Sequence, residues 1–194
     1  MITHWTPSIG DSSALGWFTV GAYLGASALC AFAALSATRR SADFLHDRSV
    51  EWHFWLAAFI IFVFLGINKQ LDLQLLLTES ARNAAKARGW YDQRREYQVA
   101  YIMILAVITI AAEIGLLSYY RHKGAPLKLA VIGLGFTGAF VMFRAASFHH
   151  VDLLLNRRTF GIRFNWIFEL TGIVLVMVAA RWYSMKTAVE QSID

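Results

Sequence analysis

The stretch Trp52–Thr78, WHFWLAAFIIFVFLGINKQLDLQLLLT, decides how this chain folds. Its first part, Trp52–Ile67, contains no Asp, Glu, Lys or Arg. That part is too short to cross a bilayer alone, because a spanning helix needs about 20 mostly apolar residues. The helix must therefore run on through NKQLDLQLLLT, which carries Lys69 and Asp72 into a membrane segment. At about 100° per residue, Asn68, Asp72 and Glu79 share one face with Lys69 beside them, while Gln70 and Gln74 point elsewhere. A helix with such a second half faces protein, water or headgroups there, since a bare charge in hydrocarbon is costly.

Outward from this stretch, the same pattern recurs. Apolar runs of spanning length predict five helices, at about 14–37, 52–78, 97–120, 127–155 and 164–183. The predicted fold is all-α, a polytopic transmembrane helix bundle with five membrane-spanning helices, forming a single transmembrane domain over 1–194. Composition agrees. The chain is 57% hydrophobic and 16% charged, and a soluble domain would have to expose much of that apolar area. Trp52, Trp90, Tyr97, Tyr120, Trp166 and Trp182 fall near segment ends, where an interfacial aromatic belt belongs. Helix 1 has no charge, and its Gly21/Gly25 and Ala22/Ala26 steps predict close helix packing. GLGFTG, Gly133–Gly138, matches a dinucleotide-loop pattern by letter, but it lies inside an apolar helix with no preceding strand. Its glycines therefore read as helix-packing sites.

Other classes are excluded or set aside. Cys30 is the single cysteine, so no disulfide within the chain and no cysteine-built zinc or iron–sulfur centre is available. The N-terminal segment lacks a positive n-region and reads as leading into a retained helix rather than a cleaved signal. The formal charge of +5 is spread over loops. This suits anionic headgroups and not a nucleic-acid face. The expected partners are membrane lipid and other membrane subunits, with no nucleic acid. Five crossings put the termini on opposite sides, and eight Lys and Arg residues then fall on each side. The Arg39–Arg40 pair after helix 1 tips the expectation to an N-terminus outside.

Alternating crossings bring the ends of helices 2 and 4 and the starts of helices 3 and 5 to one side. Lys69 and Asp72 then meet Arg144, His149 and Asp152 at one level, with Glu169 entering from helix 5. His149 and Asp152 are three apart and could supply two ligands to a divalent metal such as zinc, with Asp72 as a third. Glu169 would act as base toward a bound water, and Arg144 and Lys69 would hold an anionic group. This reading gives a metal-dependent hydrolase-like enzyme acting on an amphipathic or lipid substrate. The alternative is a non-catalytic subunit of a membrane complex, or a small transporter or proton-path protein. In it Lys69 pairs with Asp72, Arg144 pairs with Asp72 or Glu169, and the histidines meet only water and lipid. Glu113 is the deepest carboxyl of helix 3. It is a candidate proton relay or structural hydrogen-bonding group, with His53 as its nearest same-side histidine. Haem is disfavoured, because His53 and His149 sit at opposite ends of their helices.

NKQLDLQ (Asn68–Gln74) and RAASFHHVD (Arg144–Asp152) resemble segments of an uncharacterised family of bacterial multi-pass integral membrane proteins. The resemblance covers helices 2 to 4. It implies the bacterial inner (cytoplasmic) membrane and carries no known activity. SFHHVD is also similar to the Ser/His/Asp sets of membrane ceramidase- and receptor-like hydrolases. Those have seven spans and a third histidine on a late helix, whereas helix 5 here has none.

Overall fold

The computed structural model describes residues 14–39, 45–71, 94–146, 158–159 and 162–192. They form α1 (Ala14–Thr38), α2 (Leu45–Leu71), α3 (Arg94–Tyr119), α4 (Ala125–Ala146), β1 (Arg158–Thr159), β2 (Ile162–Arg163) and α5 (Phe164–Gln191). The result is an all-α bundle of five helices, of which α1, α2, α4 and α5 are long and apolar enough to cross a membrane. The described apolar run of α3, Met103–Tyr119, is shorter. One feature lies outside the all-α expectation. Within the predicted basic loop Asn156–Arg163, β1 and β2 pair antiparallel, Arg158 with Arg163 and Thr159 with Ile162, and β2 feeds directly into α5.

Helix limits differ from the sequence reading at two places. α2 starts at Leu45 rather than near Trp52, which brings Glu51 into the helix. α5 runs to Gln191 rather than ending at Tyr183. Ser184 and Thr187 are buried on this extension, and each hydroxyl donates to a carbonyl of its own helix, Ala180 and Tyr183, at 3.0 Å. Hydroxyls that bond back into the helix bury without a partner elsewhere, so polar letters there do not stop the helix.

Contacts fix the directions. α1 packs on α2 and α5, α5 on α4, and α3 on α4. Gly25 of α1 touches Met177, and the later residues Phe32 to Arg39 line a cleft with Arg181 to Val189, so α1 and α5 run parallel. Glu51 reaches Tyr183 and Lys69 reaches Glu169, so α2 and α5 run antiparallel. Gly133 meets Val176 while Thr137 meets Gly172, so α4 is also antiparallel to α5. Glu113 lies against Gly135 and Thr109 against Gly138, so α3 is antiparallel to α4. The helices thus alternate up and down through the chain.

The core is built by small residues on α1 facing large ones on α2 and α5. Ala26, Cys30, Ala33 and Ala37 are inaccessible, as are Trp55, Phe62, Ile173 and Val176. Gly25 touches α5 as the sequence suggested, but Gly21 has nothing within 4 Å of its Cβ direction and faces outward. The glycines of GLGFTG pack helices as read. A Cβ on Gly133 would lie 2.7 Å from a Val176 methyl, and one on Gly172 of α5 would lie 2.5 Å from Thr137 Oγ1. Only hydrogen at those positions lets the α4 and α5 backbones approach this closely.

Candidate functional site

Two charged or polar clusters tie α5 to its neighbours. The first joins Tyr23 of α1, Lys69 of α2 and Glu169 of α5. Lys69 Nζ donates to both Glu169 oxygens, at 3.1 Å to Oε1 and 2.9 Å to Oε2. Tyr23 Oη donates to Oε1 at 3.0 Å. The burial is deep, with Glu169 1%, Tyr23 2% and Lys69 8% exposed. Lys69 pairs with Glu169 of α5; Asp72, its expected neighbour, lies outside the described residues. Local folding explains the meeting. Lys69 closes α2 on the same face as the buried Phe62 and Gly66, and a Cβ on Gly66 would lie 3.3 Å from the Tyr23 Cβ.

The second cluster was not foreseen. Tyr183 Oη donates to Glu51 Oε2 at 2.7 Å, and both residues are buried. Trp55 stacks on Tyr183 with ring centroids 5.3 Å apart, and Phe54 meets Tyr120 edge-on at 5.0 Å. The Tyr120 phenol, just beyond α3, has its ionisation pushed up by burial first and then by Tyr119 and Glu51. Glu169 and Tyr183 are 14 residues apart on α5, hence about 21 Å along its axis. That is less than the roughly 30 Å hydrocarbon thickness, so at least one of the two clusters lies within hydrocarbon. The residues packed between them, Phe62, Ile173 and Val176 among others, are fully buried and apolar.

The remaining candidates separate. Glu113 packs against Gly135 on α4, while His53 is exposed and meets Trp52 edge-on, with ring centroids 4.7 Å apart, on the Tyr183 side of the bundle. Arg144 lies in the last turn of α4. Asp72, His149 and Asp152, the predicted metal ligands, lie outside the described residues. Among the described residues, no three His, Cys, Asp or Glu side chains gather to hold a metal. Gln70, beside Lys69, has both amide atoms buried without a hydrogen-bond partner, and so has Trp55 Nε1. At the Tyr183 end, the cleft between α1 and α5 encloses about 340 Å³ and is lined by Phe32, Arg39, Arg181, Met185 and Val189 among others.

Among the described residues, the Lys69 cluster is buried and matched in charge. Glu169 spends both oxygens on Lys69 and Tyr23, and the ammonium donates two bonds to one carboxylate. The signals for it were partly readable: Lys69 and Glu169 as intramembrane charges, but not Tyr23, a phenol in a charge-free helix. No family model, no curated protein and no solved structure matches this chain.

Proposed function

We propose that this chain is a non-catalytic five-pass membrane bundle that serves as a subunit of a larger membrane complex. The observation that carries the reading is the engagement of Glu169. A general base needs a lone pair open to a water or substrate proton, and this carboxylate is 1% exposed, with its charge matched by Lys69 and a further bond from Tyr23. The ion pair and the Glu51–Tyr183 bond act as internal ties, holding α5 to α1 and α2 at two heights.

The fifth crossing belongs to the same proposal. α3 is 26 residues long, or about 39 Å at about 1.5 Å per residue, more than the roughly 30 Å core requires. It runs antiparallel to α4 along a line of half-buried residues, Leu105, Thr109, Glu113 and Leu117. Its other faces expose Met103, Val107, Ile110 and Ile114, each about 60% accessible, a surface suited to lipid or to a neighbouring subunit. Placement in the bacterial inner membrane with the N-terminus outside completes the reading.

The test is metal analysis and lipid-hydrolysis assay of the purified protein beside Glu169→Gln, Asp72→Ala and His149→Ala. The expected result is no stoichiometric divalent metal, and no hydrolysis that differs between wild type and Glu169→Gln. Stoichiometric zinc lost in Asp72→Ala and His149→Ala, with hydrolysis abolished by Glu169→Gln, would overturn the proposal in favour of the hydrolase reading.

A further inference from the structure

Glu113 takes part in neither tie. Among the described residues no group hydrogen-bonds to it or forms an ion pair with it. Its carboxyl rests in a notch on α4: a Cβ on Gly135 would meet Glu113 Cδ at 2.5 Å and Oε1 at 2.6 Å. The absence of a side chain at Gly135 is what admits the carboxyl.

The depth of the notch follows from α4. Its spanning segment is Ala125–Met142, whose middle falls between Gly133 and Leu134. Gly135 is therefore within about 3 Å of the middle of the span. One side of Glu113 is covered by α4, and the side chain is half-buried. On the open side its neighbours Ile110 and Ile114 are 60% and 59% exposed. The titratable residues of α4, the helix packed against it, are Lys128 and Arg144, seven and nine positions from Gly135. Those spacings put their backbones about 10 and about 14 Å away along the axis. The nearest titratable group on α3 in the direction of the turn is Tyr119, six positions on.

We infer that Glu113 is a proton-binding carboxyl, seated in the Gly135 notch and open to the membrane interior at mid-depth. The chemistry is that of a lone acid in an apolar medium. An unpaired carboxylate there has neither water nor a cation to stabilise it, so the carboxyl oxygen keeps a proton. It releases that proton only to a base or a water chain that arrives from outside the described residues. The ligand is thus the proton itself, and the site differs in kind from Glu169, whose charge is matched internally by Lys69.

This inference rests on α3 crossing the bilayer, and two reagents separate the failure of each. In proteoliposomes, a hydrophobic carbodiimide adds a protonated carboxyl across its N=C=N unit and rearranges to a stable N-acylurea, with no leaving group. The expected result is one adduct on Glu113 by peptide mass spectrometry, formed several-fold faster at pH 6 than at pH 9 and absent in Glu113→Gln. A water-soluble carbodiimide is expected to leave Glu113 unmodified. Gly135→Ala, which crowds the carboxyl out of its notch, is expected to raise the rate. No adduct with either reagent, in a folded wild type, would overturn the inference while leaving the crossing intact. Modification by the water-soluble reagent at the same rate as by the hydrophobic one would overturn both.

Discussion

Lys69→Met is the sharpest perturbation of this bundle. It removes the ammonium that donates to both oxygens of Glu169 and leaves a carboxylate only 1% exposed, with the Tyr23 hydroxyl as its remaining donor. Breaking a buried pair by deleting one partner costs about 3–5 kcal/mol. Tyr23→Phe removes one hydrogen bond in a membrane interior, where such bonds are worth about 1 kcal/mol. Replacing both charges by apolar side chains of similar volume, Lys69→Met with Glu169→Met, leaves nothing uncompensated and brings stability back to within about 1 kcal/mol of wild type. The double-mutant cycle should therefore show a coupling of about 3 kcal/mol or more, against a few tenths for sites that do not touch. The assay is unfolding in mixed micelles by titration with a denaturing detergent, followed by circular dichroism. A Lys69→Met loss below about 1 kcal/mol would refute the closed-pair argument, as would a double variant whose loss is the sum of the singles.

Four further outcomes follow from the same contacts. Gly172→Ala should destabilise strongly, by about 2 kcal/mol or more, because the new methyl meets Thr137 backbone and side chain at 2.5–2.9 Å. Gly21→Ala, with nothing within 4 Å, should gain about 0.5–1 kcal/mol from helix propensity; the two melting curves side by side check both. Gln70→Leu should be neutral or stabilising, by up to about 2 kcal/mol, since it removes two buried amide atoms that have no partner among the described residues. Tyr120 has its ionisation raised above the ordinary 10.0 by burial, so its contribution to stability is complete below that pH and is lost as pH climbs above it. Alkaline unfolding followed by tyrosinate absorbance should lose a late-ionising phenol in Tyr120→Phe; an unchanged titration in that variant would contradict the assignment.

The helices were legible because hydrocarbon leaves a backbone few options. Trp52–Ile67 had to continue into Lys69, and it does, to Leu71. The expected meeting of Lys69 and Glu169 on one side of the bundle followed from the crossing pattern, but their direct pairing did not. Spacing along one helix offered Asp72, which lies outside the described residues, and nothing in a linear sequence points to a carboxylate 100 positions away. Tyr23 and Tyr183 were invisible for a related reason. A tyrosine reads equally well as a belt residue or as a core ring, and only the neighbour reveals the hydroxyl's use. Glu51 was placed outside α2 because the apolar pattern begins at Trp52. The outward turn of Gly21 shows the same limit: small residues mark where helices can approach, and the large residues opposite decide which of them do.

The tie through Glu169 also sets an order of biogenesis. α1 and α2 emerge first, and between them they hold Tyr23 and Lys69, the two donors to Glu169. The carboxylate that both donors reach arrives with α5, after the other four described helices. A chain halted before α5 therefore lacks the carboxylate to which Lys69 and Tyr23 donate in the finished bundle.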